Sequence, residues 1–175
     1  DNGKYDYNFS TTTDGKVRVV TIDQCEAIQE FLINSQVHPR KLINQPMSNY
    51  KELTSDDTLL EGAELNKFQS HVGSCNYFSM TTRYDISYAM SRISSYGPTV
   101  GARKALDRVM AYLMATIDFN ICGICGVKED RYIAYSDSDL AGFMPYTTLS
   151  QSGGVVLLNN VPLKWRSKKQ PKTSI

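Results

Sequence analysis

The chain passes through three regimes of hydrophobic and polar positions, each with its own period. In the first, aromatic alternation in Tyr5-Asp6-Tyr7-Asn8-Phe9, a turn signal at Asp14-Gly15 and the run Val17-Arg18-Val19-Val20 predict a β-hairpin. Asp23 is a candidate N-cap, since Ala27, Ile28, Phe31 and Leu32 behind it lay an apolar stripe along a short helix, with Pro39 beyond its end. Residues 40–58 lose this order among Pro46, Ser48, Asn49, Ser55, Asp56 and Asp57, a loop composition that marks a first boundary.

The second regime has the helical period. Leu65, Phe68, Val72, Cys75 and Phe78 recur at intervals of three or four. Ile86, Tyr88, Ala89, Met90 and Ile93 repeat the device over residues 85–96, where Gly97-Pro98 stops it. Leu106, Val109, Met110 and Leu113 stripe residues 101–116. Three such helices joined by short turns can bury their stripes against one another as a small bundle. In the third regime the period falls to two: residues 117–127, 132–137, 154–158 and 161–165 read as strands, with Asn159-Asn160 as the tight turn of the last pair. Helices followed by strands predict an α+β chain of two substructures with a boundary near Thr116.

Composition narrows the class. The 175 residues suffice for one ordinary domain or two small ones, and 41% hydrophobic residues can bury a core. With 19 basic against 18 acidic side chains the net charge is +1, so contact with nucleic acid has to come from local clustering. That clustering is C-terminal, in Lys164, Arg166, Lys168, Lys169 and Lys172 around Trp165. Such a run reads as a solvated tail or as a cation array for a phosphate backbone. No apolar run approaches the roughly 20 residues of a membrane span, so no membrane partner is expected. The start, Asp1-Asn2-Gly3-Lys4, reads as a cut from something longer.

Candidate chemistry is sparse. Tyr132 to Asp137 reads as a strand that ends in two carboxylates, Asp137 and Asp139, which belong at a sheet rim where a cation, water or an amide can satisfy them. By residue type alone this run is a turn or cap more often than a metal site. Cys25, Cys75, Cys122 and Cys125 are too scattered for a disulfide framework, and the Cys122-Gly-Ile-Cys125 pair has no second pair to complete a tetrahedral zinc site. A structural role is therefore expected of it. His71 and His38 lack a nucleophile motif or ligand spacing and read as solvated or hydrogen-bonded histidines. Met80, Met90, Met110 and Met114 read as core fillers.

Six segments, in order, together resemble one family. Gln24 to Met47 is similar to a segment in which a Gln opens a thumb helix and a Pro-Met pair, here Pro46-Met47, closes the next loop. Val72-Gly73-Ser74 followed by Thr82-Arg83-Tyr84-Asp85-Ile86-Ser87-Tyr88-Ala89-Met90-Ser91-Arg92 resembles Val-Gly-Ser and Thr-Arg-Pro-Asp-Ile-Ala-Tyr-Ala-Val-Ser-Arg. Ala105-Leu106-Asp107-Arg108-Val109, Tyr112-Leu113 and Thr116-Ile117-Asp118 match a further helix. Tyr135-Ser136-Asp137-Ser138-Asp139-Leu140-Ala141-Gly142 resembles Tyr-Ser-Asp-Ala-Asp-Trp-Ala-Gly. Ser150-Gln151-Ser152-Gly153 and Trp165-Arg166-Ser167-Lys168-Lys169-Gln170 complete the series. The family is the copia-type retrotransposon Pol polyprotein, at the passage from the reverse transcriptase thumb into ribonuclease H.

The resemblance implies that residues 1–116 are the end of the palm and a helical thumb that grips duplex, and residues 117–175 the opening strands of a partial, mixed ribonuclease H-like sheet. Asp137 would be the nuclease's first metal-binding carboxylate, and Asp139 a neighbour without catalytic duty. The parent would copy RNA into DNA and cut hybrids with Mg²⁺. This chain is expected to do neither and to bind no Mg²⁺ tightly, because the polymerase aspartates and the later nuclease carboxylates are missing and two-metal chemistry needs several. An RNA–DNA or DNA duplex and another Pol chain are the implied partners. The cytoplasm, with virus-like particles in the parent family, and the nucleus are the implied locations.

Tyr84 stands where Pro is usual, Ala102-Arg103 where His-Trp is usual, Ala111 and Met114 where basic residues are usual, and Leu140 where Trp is usual. Loss of cations would weaken a duplex grip. A half-finished sheet also predicts oligomerisation or local disorder after about residue 149 unless something covers it.

Overall fold

A computed structural model of the chain describes residues 6–11, 18–36, 43–48, 53–125, 130–139 and 149–171. The expected Asp14-Gly15 turn, His38, Pro39, Leu140 and Lys172 lie outside the described residues. Strands β1 (Asp6–Thr11) and β2 (Arg18–Asp23) pair antiparallel with Phe9 opposite Val20, as the alternation requires. Helix α1 (Cys25–Asn34) follows at once. Asp23 accepts the Cys25 N–H at 3.1 Å, but the helix opens on Gln24, one residue later than expected. Gln24 is buried, and its Oε1 accepts the hydroxyls of Thr81 and Thr82, the latter at 2.8 Å, which ties α1 to the end of the next helix.

That helix is α2 (Gly62–Thr81), followed by a 3₁₀ turn (Tyr84–Ile86), α3 (Ser87–Tyr96) and α4 (Val100–Ala115). Ile86, Ile93, Leu106, Val109 and Leu113 retain 0% exposure, so the stripes meet as expected. Ile28 and Leu32 of α1 join the same core, which makes a bundle of four helices rather than three. Gly97, at φ 115°, ends α3 in a conformation that side chains avoid.

Thr99 caps α4 by accepting the Ala102 N–H at 3.1 Å. The remaining first-turn donors find backbone: Val100 N–H donates to Thr58 O and Gly101 N–H to Asp56 O, both at 2.9 Å. This draws the loop so close that a Cβ on Gly101 would lie 2.3 Å from Leu53 O. Gly101→Ala is therefore expected to cost about 1–3 kcal/mol, read as a lower urea midpoint. Gly73→Ala, whose added carbon meets nothing within 4 Å, should be neutral or slightly stabilising in the same assay.

The described strands form two sheets. β3 (Ile121–Cys125) pairs with β2, placing Ile121 opposite Ile22, so the first sheet has the order β1-β2-β3. Strand pairing thus crosses the boundary drawn at residue 116. The second sheet contains β4 (Tyr132–Ser138), β5 (Gln151–Leu158) and β6 (Val161–Lys169) in the order β4-β5-β6. Every pairing between described strands is antiparallel, not mixed, because β5 returns along β4 and β6 along β5, with no crossover to a parallel neighbour. Asn159 and Asn160 make the tight turn, both at positive φ. Among the described residues after 149, the chain forms β5 and β6, and the helical layer covers one face of this sheet.

His71 departs from expectation. It lies buried in α2, edge-on to the Phe31 ring at 5.5 Å, and among the described residues Nδ1 has no hydrogen-bond partner. Burial, helped by the charges of Arg103 and Lys67, holds its pKa below the ordinary value. A histidine kept neutral in the fold contributes its full stability above its unfolded pKa and loses it as pH falls through the lower folded pKa. Between about pH 7 and pH 5 the melting temperature should therefore fall, and His71→Gln should flatten that fall.

The thiols are quiet. Burial pushes Cys75 up to about 12. Burial, then a hydrogen bond involving Asp23, pushes Cys25 up to about 11, and its thiol donates to Ile117 O at 3.0 Å. Cys122 is free and exposed on β3.

Candidate functional site

The second sheet meets the helices through the odd-numbered residues of β6. Trp165 Nε1 donates to Ser79 O at 2.6 Å, and its ring lies 5.6 Å from that of Tyr84. Gln151, buried at the start of β5, donates through Nε2 to Ser91 Oγ at 2.9 Å and Ser167 Oγ at 2.8 Å. Arg92 of α3 is only 4% exposed, stacks over the Tyr88 ring at 5.4 Å and donates through Nη2 to Asp139 Oδ2 at 3.0 Å. Asp139 also exchanges bonds with Gln151: its Oδ1 accepts the Gln151 N–H, and its own N–H donates to Gln151 O at 3.0 Å. Asp139 is therefore a latch between helix and sheet. Sequence reasoning leaves it without a duty, since its partner lies 47 residues away and an Arg in a helix reads as solvent-facing.

Asp137 is different. It is exposed near the end of β4, opposite Gly153, and its Oδ1 accepts the Ser138 N–H at 2.8 Å. A pair of magnesium ions about 4 Å apart needs several carboxylates. Among the described residues, Asp137 is in no ion pair while its neighbour is held by Arg92, and no three His, Cys, Asp or Glu side chains converge on a metal position. The described residues do not fit a two-metal centre.

The basic run divides by face. With Trp165 and Ser167 turned to the helices, alternation projects Lys164, Arg166 and Lys168 onto the opposite side, where all three are exposed. They stand about 7 Å apart along the strand. Lys169 falls on the helix-side register and is half-buried. Among the described residues none of these four cations is in an ion pair. Beside Arg166 and Lys168, the bare backbone of Gly153 and Gly154 opens a hollow of about 320 Å³. Ala111, which stands where the resemblance has a basic residue, is buried.

Tyr84, Tyr88, Tyr135 and Trp165 line a groove of about 520 Å³ between the helices and the sheet, with Asp137 at its rim. Tyr88, which the helical period places in the core stripe, is 49% exposed. The period cannot show this, because an aromatic ring suits either a core or a groove wall.

Similar proteins give the class. The chain is 35% identical over 146 residues to the retrovirus-related Pol polyprotein from transposon RE2 of Arabidopsis thaliana, covering 81% of this chain and 10% of that one. It is 32% identical over 154 residues to the Pol polyprotein from transposon RE1 of the same plant, covering 85% and 10%. Over 109 residues it is 33% identical to the secreted RxLR effector protein 161 of Plasmopara viticola, covering 59% of this chain and 72% of the effector. No family model and no solved structure matches. The class is thus that of retrotransposon Pol proteins. Over most of its length the chain is similar to the retrovirus-related Pol polyproteins of transposons, and it spans about a tenth of the length of the two polyproteins it matches.

Proposed function

We propose that this chain is the passage from reverse transcriptase to ribonuclease H of such a Pol protein, and that by itself it holds nucleic acid without copying or cutting it. On this reading the four helices are the thumb and β3 closes the palm-end sheet. The nuclease strands begin at β4, with Asp137 as the first nuclease carboxylate. The observation that carries the reading is the outward face of β6, where Lys164, Arg166 and Lys168 are exposed in a row suited to phosphates. RNA–DNA hybrid is the favoured partner. A second reading, a retained module that stands alone or pairs with another Pol chain, draws support from the effector relative, 72% of which the match spans.

Incubation of the purified chain with an RNA–DNA hybrid and Mg²⁺ tests the non-catalytic half. Hybrid cleavage is expected to be no greater than with Asp137→Asn. Turnover that disappears with that substitution would overturn it.

A further inference from the structure

The groove between helices and sheet is built for something other than a phosphate. Tyr135, Val155 and Trp165 are register partners across β4, β5 and β6, so the two rings flank Val155 on one face of the sheet. Two strand spacings set their backbones about 10 Å apart, which leaves about 5 Å from each wall to a point above Val155. Tyr84 and Tyr88 approach the same space from the helical side. Four electron-rich rings thus line one groove, and a cation is attracted to a ring face within roughly 6 Å of its centroid.

The charge at the rim has the matching sign. Asp137 follows Tyr135 by two residues on the same face, about 7 Å along the strand, and its carboxylate is exposed. Arg166 also borders the groove, but alternation carries its side chain to the opposite face with Lys164 and Lys168. Arg92, behind Tyr88, is matched by Asp139. A phosphate placed here would meet a carboxylate, whereas a cation would meet a carboxylate and four rings.

We propose that this groove is an aromatic cage for a methylated ammonium group. Tyr84 closes the cage against Trp165, the two rings lying 5.6 Å apart. The site is independent of the cation row on the other face and of any nuclease role for Asp137.

Trp165 is the only tryptophan in the chain, so its fluorescence reports directly on the cage. The probes are choline, its neutral isostere 3,3-dimethylbutan-1-ol, and a peptide bearing trimethyllysine or unmodified lysine. Choline is expected to perturb Trp165 emission saturably, with the isostere at least about tenfold weaker, since only the charge differs. Tyr84→Pro and Tyr135→Ala should each weaken choline by about tenfold and Tyr84→Phe should not, while thermal melts check that the variants fold. Stronger binding of the trimethyllysine peptide than of choline assigns the group to a protein partner, and equal binding assigns it to a small molecule. Either result supports the cage. Equal affinity for choline and the isostere, indifference to Tyr84→Pro and Tyr135→Ala, or saturable quenching by mononucleotides and not by choline would overturn it.

Discussion

Arg83→Ala is expected to destabilise the fold by about 3–5 kcal/mol and to lower its melting temperature by about 6–20 °C. Arg83 is 1% exposed, the most deeply buried charge among the described residues. Its guanidinium forks onto Asp85, with Nε at 3.1 Å and Nη2 at 2.8 Å, and donates to Thr116 O at 3.1 Å and Thr116 Oγ1 at 2.6 Å. It also lies over the rings of Tyr112 and Phe119 at 5.6 and 5.5 Å. Burial, then a hydrogen bond to Asp85, pushes the Tyr112 phenol up to about 12, so the carboxylate already has a second donor. Removing the arginine strands Asp85 and the end of α4 together. Lysine cannot reproduce the fork, so Arg83→Lys should recover only part of the loss. The double replacement Arg83→Met with Asp85→Leu should recover more, because no charge is left behind. A melting temperature for Arg83→Ala within a degree or two of the parent would contradict this account.

The two aspartates of the Asp137-Ser-Asp139 run should separate cleanly. Asp139→Ala takes the carboxylate from a buried guanidinium and the acceptor from Gln151 N–H, at a cost of about 1–3 kcal/mol. Because these bonds join α3 to the second sheet, amides of β4 and β5 should exchange faster with solvent while those of α2 and α4 hold. Asp137→Asn, at an exposed site, should change stability by less than about 0.5 kcal/mol. Equal losses from the two substitutions would show that Asp139 is no latch.

The helices are legible in the sequence because one period governs each stripe, and Ile86, Ile93, Leu106, Val109 and Leu113 lie where that period puts them. The partner of β3 is not. An apolar strand of five residues carries no label saying which sheet edge it completes, and β2 lies about a hundred residues earlier. Arg83 and Arg92 are illegible for a related reason. A charge is assumed to face water until its partner is seen, and the partners are an aspartate in a 3₁₀ turn and one across the sheet interface. The cation row is visible as composition, but which of its members share a face emerges only with the β5–β6 register. Tyr84 reads as a substitution for proline, with nothing in the chain to say that Trp165 waits beside it.

The most direct test is the salt dependence of RNA–DNA hybrid binding, followed by fluorescence anisotropy for the parent chain and for the Lys164→Ala, Arg166→Ala, Lys168→Ala triple variant. Each cation withdrawn from a phosphate should reduce the slope of log affinity against log salt by about one, so the triple variant is expected to bind more weakly with a slope reduced by about three. Affinity and slope unchanged by the triple replacement would contradict the claim that the outward face of β6 holds nucleic acid.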